Sequence, residues 1–229
     1  MAHVKRFLPG ALLVLGALIS HGASSEELRG KVELLARGGK GPARGADVRR
    51  AVVSFEPVSR QPVRPPAEPF VLATRQKQFV PRVLAVPRGS RVRFPNEDPI
   101  LHNVFSVSPD NVFDLGLYRK SKGRERTFDK PGLVRVFCNV HQGMVGYLLV
   151  LDTPFFTAPA ADGSFVLTGL PGGHGKLTVW HEQGEAWTQD VRLPAGPVTA
   201  RLEVSRAGAP PHLDKRGNPY TSRDSYRDQ

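Results

Sequence analysis

Cysteine, histidine and methionine follow one another at three-residue steps in the run Phe137-Cys138-Asn139-Val140-His141-Gln142-Gly143-Met144. Cys138 is the only cysteine in the 229 residues. A second histidine, His102, stands upstream in Pro99-Ile100-Leu101-His102-Asn103-Val104-Phe105. One thiolate, two imidazoles and a weak thioether form the ligand set of a blue-copper electron-transfer site. Cys138, His102 and His141 would make the trigonal plane, and Met144 the long axial bond that favours Cu(I). Such a geometry changes little between the two copper states, so electron transfer costs little reorganisation. Three ligands from one tight loop and one from a distant loop make a centre held by the fold. Around it, Asn103 is expected to brace the Cys138 loop by hydrogen bonding. Asn139, and backbone N–H groups just after Cys138, are expected to tune the sulfur.

Competing chemistries are less well served. An unpaired cysteine in an exported chain can be a reactive thiol, an intermolecular crosslink, a ligand or an inert core residue. His141 and Met144 beside it favour the ligand. A structural zinc site fits poorly, because only one thiolate is present and methionine is a poor zinc ligand. A binuclear copper loop would need two cysteines. Trp180-His181-Glu182 sets a histidine beside a carboxylate, yet nothing near it in sequence completes a site, so a structural role is expected. His174 reads as a turn residue, and His212 lies in the tail. Without a Gly-rich loop opening a helix, nucleotide binding has no support. The residues suggest neither a substrate pocket nor an open coordination position, so an enzyme is not expected.

The N-terminus sets the redox context. Lys5 and Arg6 precede an apolar stretch from Phe7 to Ile19, followed by the small residues Gly22, Ala23, Ser24 and Ser25. That is the layout of a secretory signal peptide over 1–24, cleaved near Ala23 to Ser25. The apolar run is short of the ~20 residues of a membrane span; an uncleaved anchor is the alternative. The expected location is the periplasm of a Gram-negative bacterium. A formal charge of +11 and a pI near 10.3 suit an acidic protein partner, an anionic membrane face or nucleic acid. Export argues against nucleic acid, and a solvated basic surface without a dedicated partner is the rival reading.

The elements that must position these side chains read as all-β. Leu28–Leu35 and Ala51–Phe55 are strand-like, and Pro57 to Pro69 must be extended or irregular. Val83–Val86 and Arg91–Phe94 flank the turn Pro87-Arg88-Gly89-Ser90; Val92 and Phe94 alternate with Arg91 and Arg93, so one face is buried. Phe113–Tyr118 and Glu125–Phe128 are further candidates. Leu133–Phe137 leads into Cys138, and Tyr147–Leu151 reads as a strand buried on both faces. His102 is expected in another inter-strand loop at the same end. Composition changes at Asp152-Thr153-Pro154. Beyond it, Asp162-Gly163 is a hairpin signal, and Lys176–Trp180, Ala186–Leu193 and Val198–Val204 alternate as strands. The expected organisation is a copper-binding unit over 28–152 with an excursion at 57–69, a small β unit over 153–204, and a disordered tail over 205–229.

The stretch from Arg88 through Asn96 to His102-Asn103-Val104, with Cys138 to Met144, resembles the cupredoxins, in particular the plastocyanin, pseudoazurin and amicyanin group. The two-residue gap between His141 and Met144 is similar to the short amicyanin loop. Asp114-Leu115-Gly116-Leu117-Tyr118 and Cys138 to Tyr147 also resemble bacterial periplasmic methylamine-utilisation or plastocyanin-like proteins. In those, a cupredoxin unit precedes a small carboxypeptidase-regulatory-like β domain. The resemblance implies a Greek-key cupredoxin sandwich followed by a second small β-sandwich, one type 1 copper per chain, and a one-electron carrier. It further implies that electrons pass through the His141 edge; the nearby apolar Val140 and Val145 are expected in the docking patch. An acidic redox protein, such as a cytochrome or dehydrogenase, would be the partner of a monomeric chain. A copper carrier or scavenger without redox traffic, and a copper-stabilised interaction module, use the same ligands and stand as alternatives.

Overall fold

The computed structural model describes residues 25–39, 41–141, 143–205, 214–216 and 218. The expected signal peptide, 1–24, and most of the expected tail fall outside the described residues. Among the described residues, seventeen strands and one 3-10 turn, Val48–Arg50, make up the regular structure. The first two strands are β1 (Glu26–Ala36) and β2 (Val52–Pro57). Then come β3 (Phe70–Val71), β4 (Ala73–Arg75), β5 (Gln78–Val80), β6 (Val83–Pro87) and β7 (Ser90–Asn96). They are followed by β8 (His102–Ser106), β9 (Phe113–Tyr118), β10 (Ser121–Phe128), β11 (Gly132–Phe137) and β12 (Val145–Leu151). The last five are β13 (Phe156–Thr157), β14 (Ser164–Leu170), β15 (Gly173–Trp180), β16 (Trp187–Leu193) and β17 (Val198–Val204). No helix among the described residues is long and apolar enough to cross a membrane.

Four sheets pack as two sandwiches. Residues 70–151 form the sheets β10-β7-β4-β5, with β3 on β7, and β6-β12-β11-β8-β9. Their shared core runs from Leu72 through Phe94, Val104, Phe128 and Val136 to Leu148 and contains Cys138 and Met144. In β7, Val92 and Phe94 point inward while Arg91 is exposed, as the alternation predicts. Phe94, Phe113 and Phe128 contact one another at ring separations of 5.7–6.4 Å, each burying apolar surface worth about 1.5–3 kcal/mol. The interior strand β12 is buried on both faces, again as expected: Leu148 and Val150 face the core, and Tyr147 lies against Trp180. Two β-sheets over one shared core fit the all-β class expected from the sequence.

The remaining strands correct the expected boundary. The sequence reading placed 28–57 with the copper-binding unit. Instead β1 lies between β14 and β17, and β2 between β13 and β15. Leu28, Val32, Val53 and Phe55 share a core with Phe165, Leu177, Val191 and Leu202. Residues 26–57 and 156–204 therefore close one sandwich, into which 70–151 is inserted. Alternation shows which face of β1 is dry but not which distant strand covers it, so the split was not readable. The Pro-rich 57–69 is the outgoing connection, and 152–155 is the return. Asp152 ties the two to the insert, 2.6 Å from Arg88 and 3.9 Å from Arg60. Thr153 Oγ1 donates to the Phe55 carbonyl at 2.6 Å.

The Asp162-Gly163 turn forms, with Ser164 N donating to Asp162 Oδ1, but its flanks β13 and β14 lie in different sheets, so it is not a hairpin. Gly163 has φ +85°, and a Cβ there would stand 2.3 Å from the Val32 carbonyl oxygen. In the tail, Lys215 reaches Asp114 at 2.6 Å.

Candidate metal centre

Strand pairing brings the ligand loops to one end of the inserted sandwich. Phe137 pairs with Val145, which makes 138–144 a closed connection between β11 and β12. Inside it, Met144 N donates to the His141 carbonyl at 3.2 Å and Cys138 N to the Met144 carbonyl at 3.3 Å. Gly143 takes φ +83°, a turn conformation that glycine adopts freely. On the neighbouring strand, Phe105 pairs with Phe137 in antiparallel register, which carries residues 102–104 alongside 138–140. His102 was expected in a loop. It is the first residue of β8, paired with Tyr118 of β9 and fully buried.

Cys138 Sγ lies 3.7 Å from His102 Nδ1 and 3.8 Å from His141 Nδ1. The two imidazole rings are 4.6 Å apart, and all three ligand atoms fall within 4.8 Å of one another. Three donor atoms this close could bind one ion together. Cys138 and His102 are fully buried, His141 is half-buried, and Met144 is buried in the same core.

The orientation of His102 is fixed from behind. Asp98 Oδ2 lies 2.9 Å from His102 Nε2. A proton on Nε2, donated to that carboxylate, leaves the Nδ1 lone pair aimed at the sulfur side. Burial, followed by the nearby His141 charge, lowers the His102 pKa against the pull of Asp98, which favours the neutral imidazole a metal needs. Burial works to raise the Asp98 pKa. The N–H groups of Lys77 (2.9 Å) and Gln76 (2.7 Å) outweigh it and, with His102, hold the carboxyl below its ordinary range. Gln76 and Lys77 form the β4–β5 turn, both at positive φ, so a hairpin far from the ligand loop helps to hold the ligand.

Asn96 folds the loop before His102. Its amide donates to the Ile100 and Tyr118 carbonyls at 2.9 and 3.0 Å, and its oxygen accepts from Asp98 N at 2.9 Å. Sequence reasoning gave neither Asp98 nor Asn96 a role; the available signal was an acid four residues before a ligand histidine. Asn103 is fully buried, but its amide donates to Asp114 Oδ1 at 2.7 Å, tying β8 to β9 rather than reaching the Cys138 loop. Asn103 Oδ1 is buried without a hydrogen-bond partner. Asn139 follows Cys138 in the turn and is half-buried. Val140 packs partly into the core, and Val145 lines a cleft with Phe79, Arg82 and Met144. Ile100 and Leu101, each 38% exposed, and Leu117 of the paired strand β9 are among the open apolar side chains at this end.

No family model matches the chain, and no curated protein does. Among solved structures, it is similar to a purple cupredoxin from Nitrosopumilus maritimus at 22% identity and TM-score 0.32, covering 35% of this chain and 96% of that one. It is similar to amicyanin from Paracoccus versutus at 22% identity and TM-score 0.35, covering 43% and 98%. A copper-containing nitrite reductase from Thermus scotoductus matches at 24% identity and TM-score 0.36; the chain spans 42% of itself and a quarter of that enzyme.

Proposed function

We propose that the chain is a periplasmic type 1 copper protein that carries single electrons between redox partners. The observation that carries the reading is the placement of the Cys138 sulfur, equidistant from two imidazole nitrogens in a largely buried pocket. His102, Cys138 and His141 would hold the ion in a plane, with Met144 at the axial position. Bound copper would supply a one-electron Cu(II)/Cu(I) couple. The protein keeps water out, fixes the His102 tautomer through Asp98, and ties the loop ends by the Cys138–Met144 backbone bond. A carrier, not a catalyst, is the role this supports: the donor set fills the coordination positions with protein atoms.

The half-buried His141 edge is the exit for the electron. Ile100 and Leu101 offer a small apolar landing at this end, beside the partly exposed Val140 and Val145. The connections at this end and the strand ends beside them carry Arg75, Lys77, Arg119, Lys120 and Lys122 against Glu97 and Asp98. That excess of positive charge steers an acidic redox protein, such as a cytochrome or dehydrogenase. Spectroscopy of the purified chain with Cu(II), alongside Cys138→Ser, tests the reading. An intense thiolate-to-copper band lost in the variant supports it, and a band that survives the substitution refutes it.

A further inference from the structure

Trp180-His181-Glu182 has no part in the metal chemistry, yet it is where the outer sandwich holds the inserted one. The Trp180 ring lies 5.8 Å from the Tyr147 ring. His181 Nε2 is 3.2 Å from the Asp47 carbonyl oxygen. Glu182 is buried, and its Oε1 accepts from Arg82 Nε at 2.9 Å and Arg50 Nη1 at 3.1 Å. Arg82 belongs to the insert. Its Nη1 donates to the Val145 carbonyl at 3.2 Å, and its guanidinium lies 5.6 Å over the Tyr147 ring. Val145 is the residue after Met144.

We propose that Glu182 of the outer sandwich is a positioning residue for the metal centre: through Arg82 it fixes the Val145 carbonyl, and with it the placement of Met144. The proposal rests on the copper reading for the role of Met144. A guanidinium is a rigid planar fork, so the bond at Nε sets the direction of the bond at Nη1. Without the carboxylate, Arg82, a third exposed, turns toward water and releases Val145. Met144 is pinned on its other side by bonds to Cys138 and His141 within the loop. The axial contact is the longest and weakest at such a centre, so a small displacement changes it most.

The test compares Glu182→Gln, Arg82→Lys and Arg50→Lys in the full chain. Amide hydrogen exchange over residues 143–146 is read in the metal-free protein. The reduction potential and EPR line shape are read with copper bound. Glu182→Gln and Arg82→Lys should each speed exchange several-fold and move the potential in one common direction. Arg50→Lys should lower Tm but leave both readouts at wild-type values, because it spares the Glu182–Arg82–Val145 chain. Wild-type values in the first two variants, an equal effect in Arg50→Lys, or faster exchange without a shift in potential would each overturn the proposal. If Glu182→Gln does not fold, Arg82→Lys against Arg50→Lys makes the same comparison. A wild-type chain that takes up no copper defeats the functional reading; loop exchange then decides the positioning chain alone.

Discussion

Asp98 and His102 are four residues apart and 2.9 Å apart, carboxylate to Nε2, and the other ring nitrogen of His102 faces the Cys138 sulfur. The carboxylate thus sets the tautomer, orientation and basicity of a candidate ligand it does not replace. Replacing Asp98 by Asn should weaken copper binding about 10–100-fold, the usual cost of losing such a support. Competition with a chelator of known affinity measures it. Unchanged affinity would show that the core alone orients His102.

In the proposed centre, Met144 is the group through which the potential should be tuned. Met144→Leu removes a weak donor to Cu(II), so copper should stay bound and the potential should rise; Met144→Gln, a harder donor, should lower it. Voltammetry of the three proteins checks the order. Identical potentials would remove Met144 from the centre.

Insertion of one sandwich into another makes truncation informative. Ending the chain at residue 152 leaves β1 and β2 without β13, β14, β15 and β17, exposing Leu28, Val32, Val53 and Phe55. That product should aggregate. A fragment of residues 68–152 keeps both sheets of its own core and should fold and bind copper. A soluble 1–152 fragment with native-like exchange protection over β1 would contradict the pairing.

His181 gives a pH dependence remote from the metal. Burial, the largest influence, lowers its pKa against the pull of the Asp47 carbonyl and Glu182, and Nδ1 accepts from Gln183 N at 3.2 Å. The folded protein therefore holds the neutral ring, while the unfolded chain protonates below about 6.5. Stability is intact above that pH and falls as pH drops from about 6.5 toward the lowered folded value. Urea midpoints at pH 7.5 and 5.5 should differ more for the wild type than for His181→Asn.

The candidate cluster of His102, Cys138 and His141, the alternation of β7, the bounds of β9 and the doubly buried β12 were legible in the sequence, because residue type and local period encode them. Asp98 was not: its partners Gln76 and Lys77 come from the β4–β5 turn and His102 from the start of β8, which only the folded sheet brings together. The assignment of β1 and β2 to the outer sandwich failed for the same reason. The parallel register of Leu34 with Leu202 leaves no local signature in either segment. Asn103 was expected to brace the Cys138 loop, yet its hydrogen bond runs to Asp114, a partner fixed by a bulged pairing of β8 with β9.

The most direct test is the visible and EPR spectrum of the purified chain on titration with Cu(II). The account predicts saturation at one copper per chain. It also predicts an intense band near ~600 nm with a narrow copper hyperfine splitting, from a Cys138 thiolate bond in a His₂Cys plane. A colourless protein that retains no copper, or a weak-band spectrum unchanged in Cys138→Ser, would contradict it.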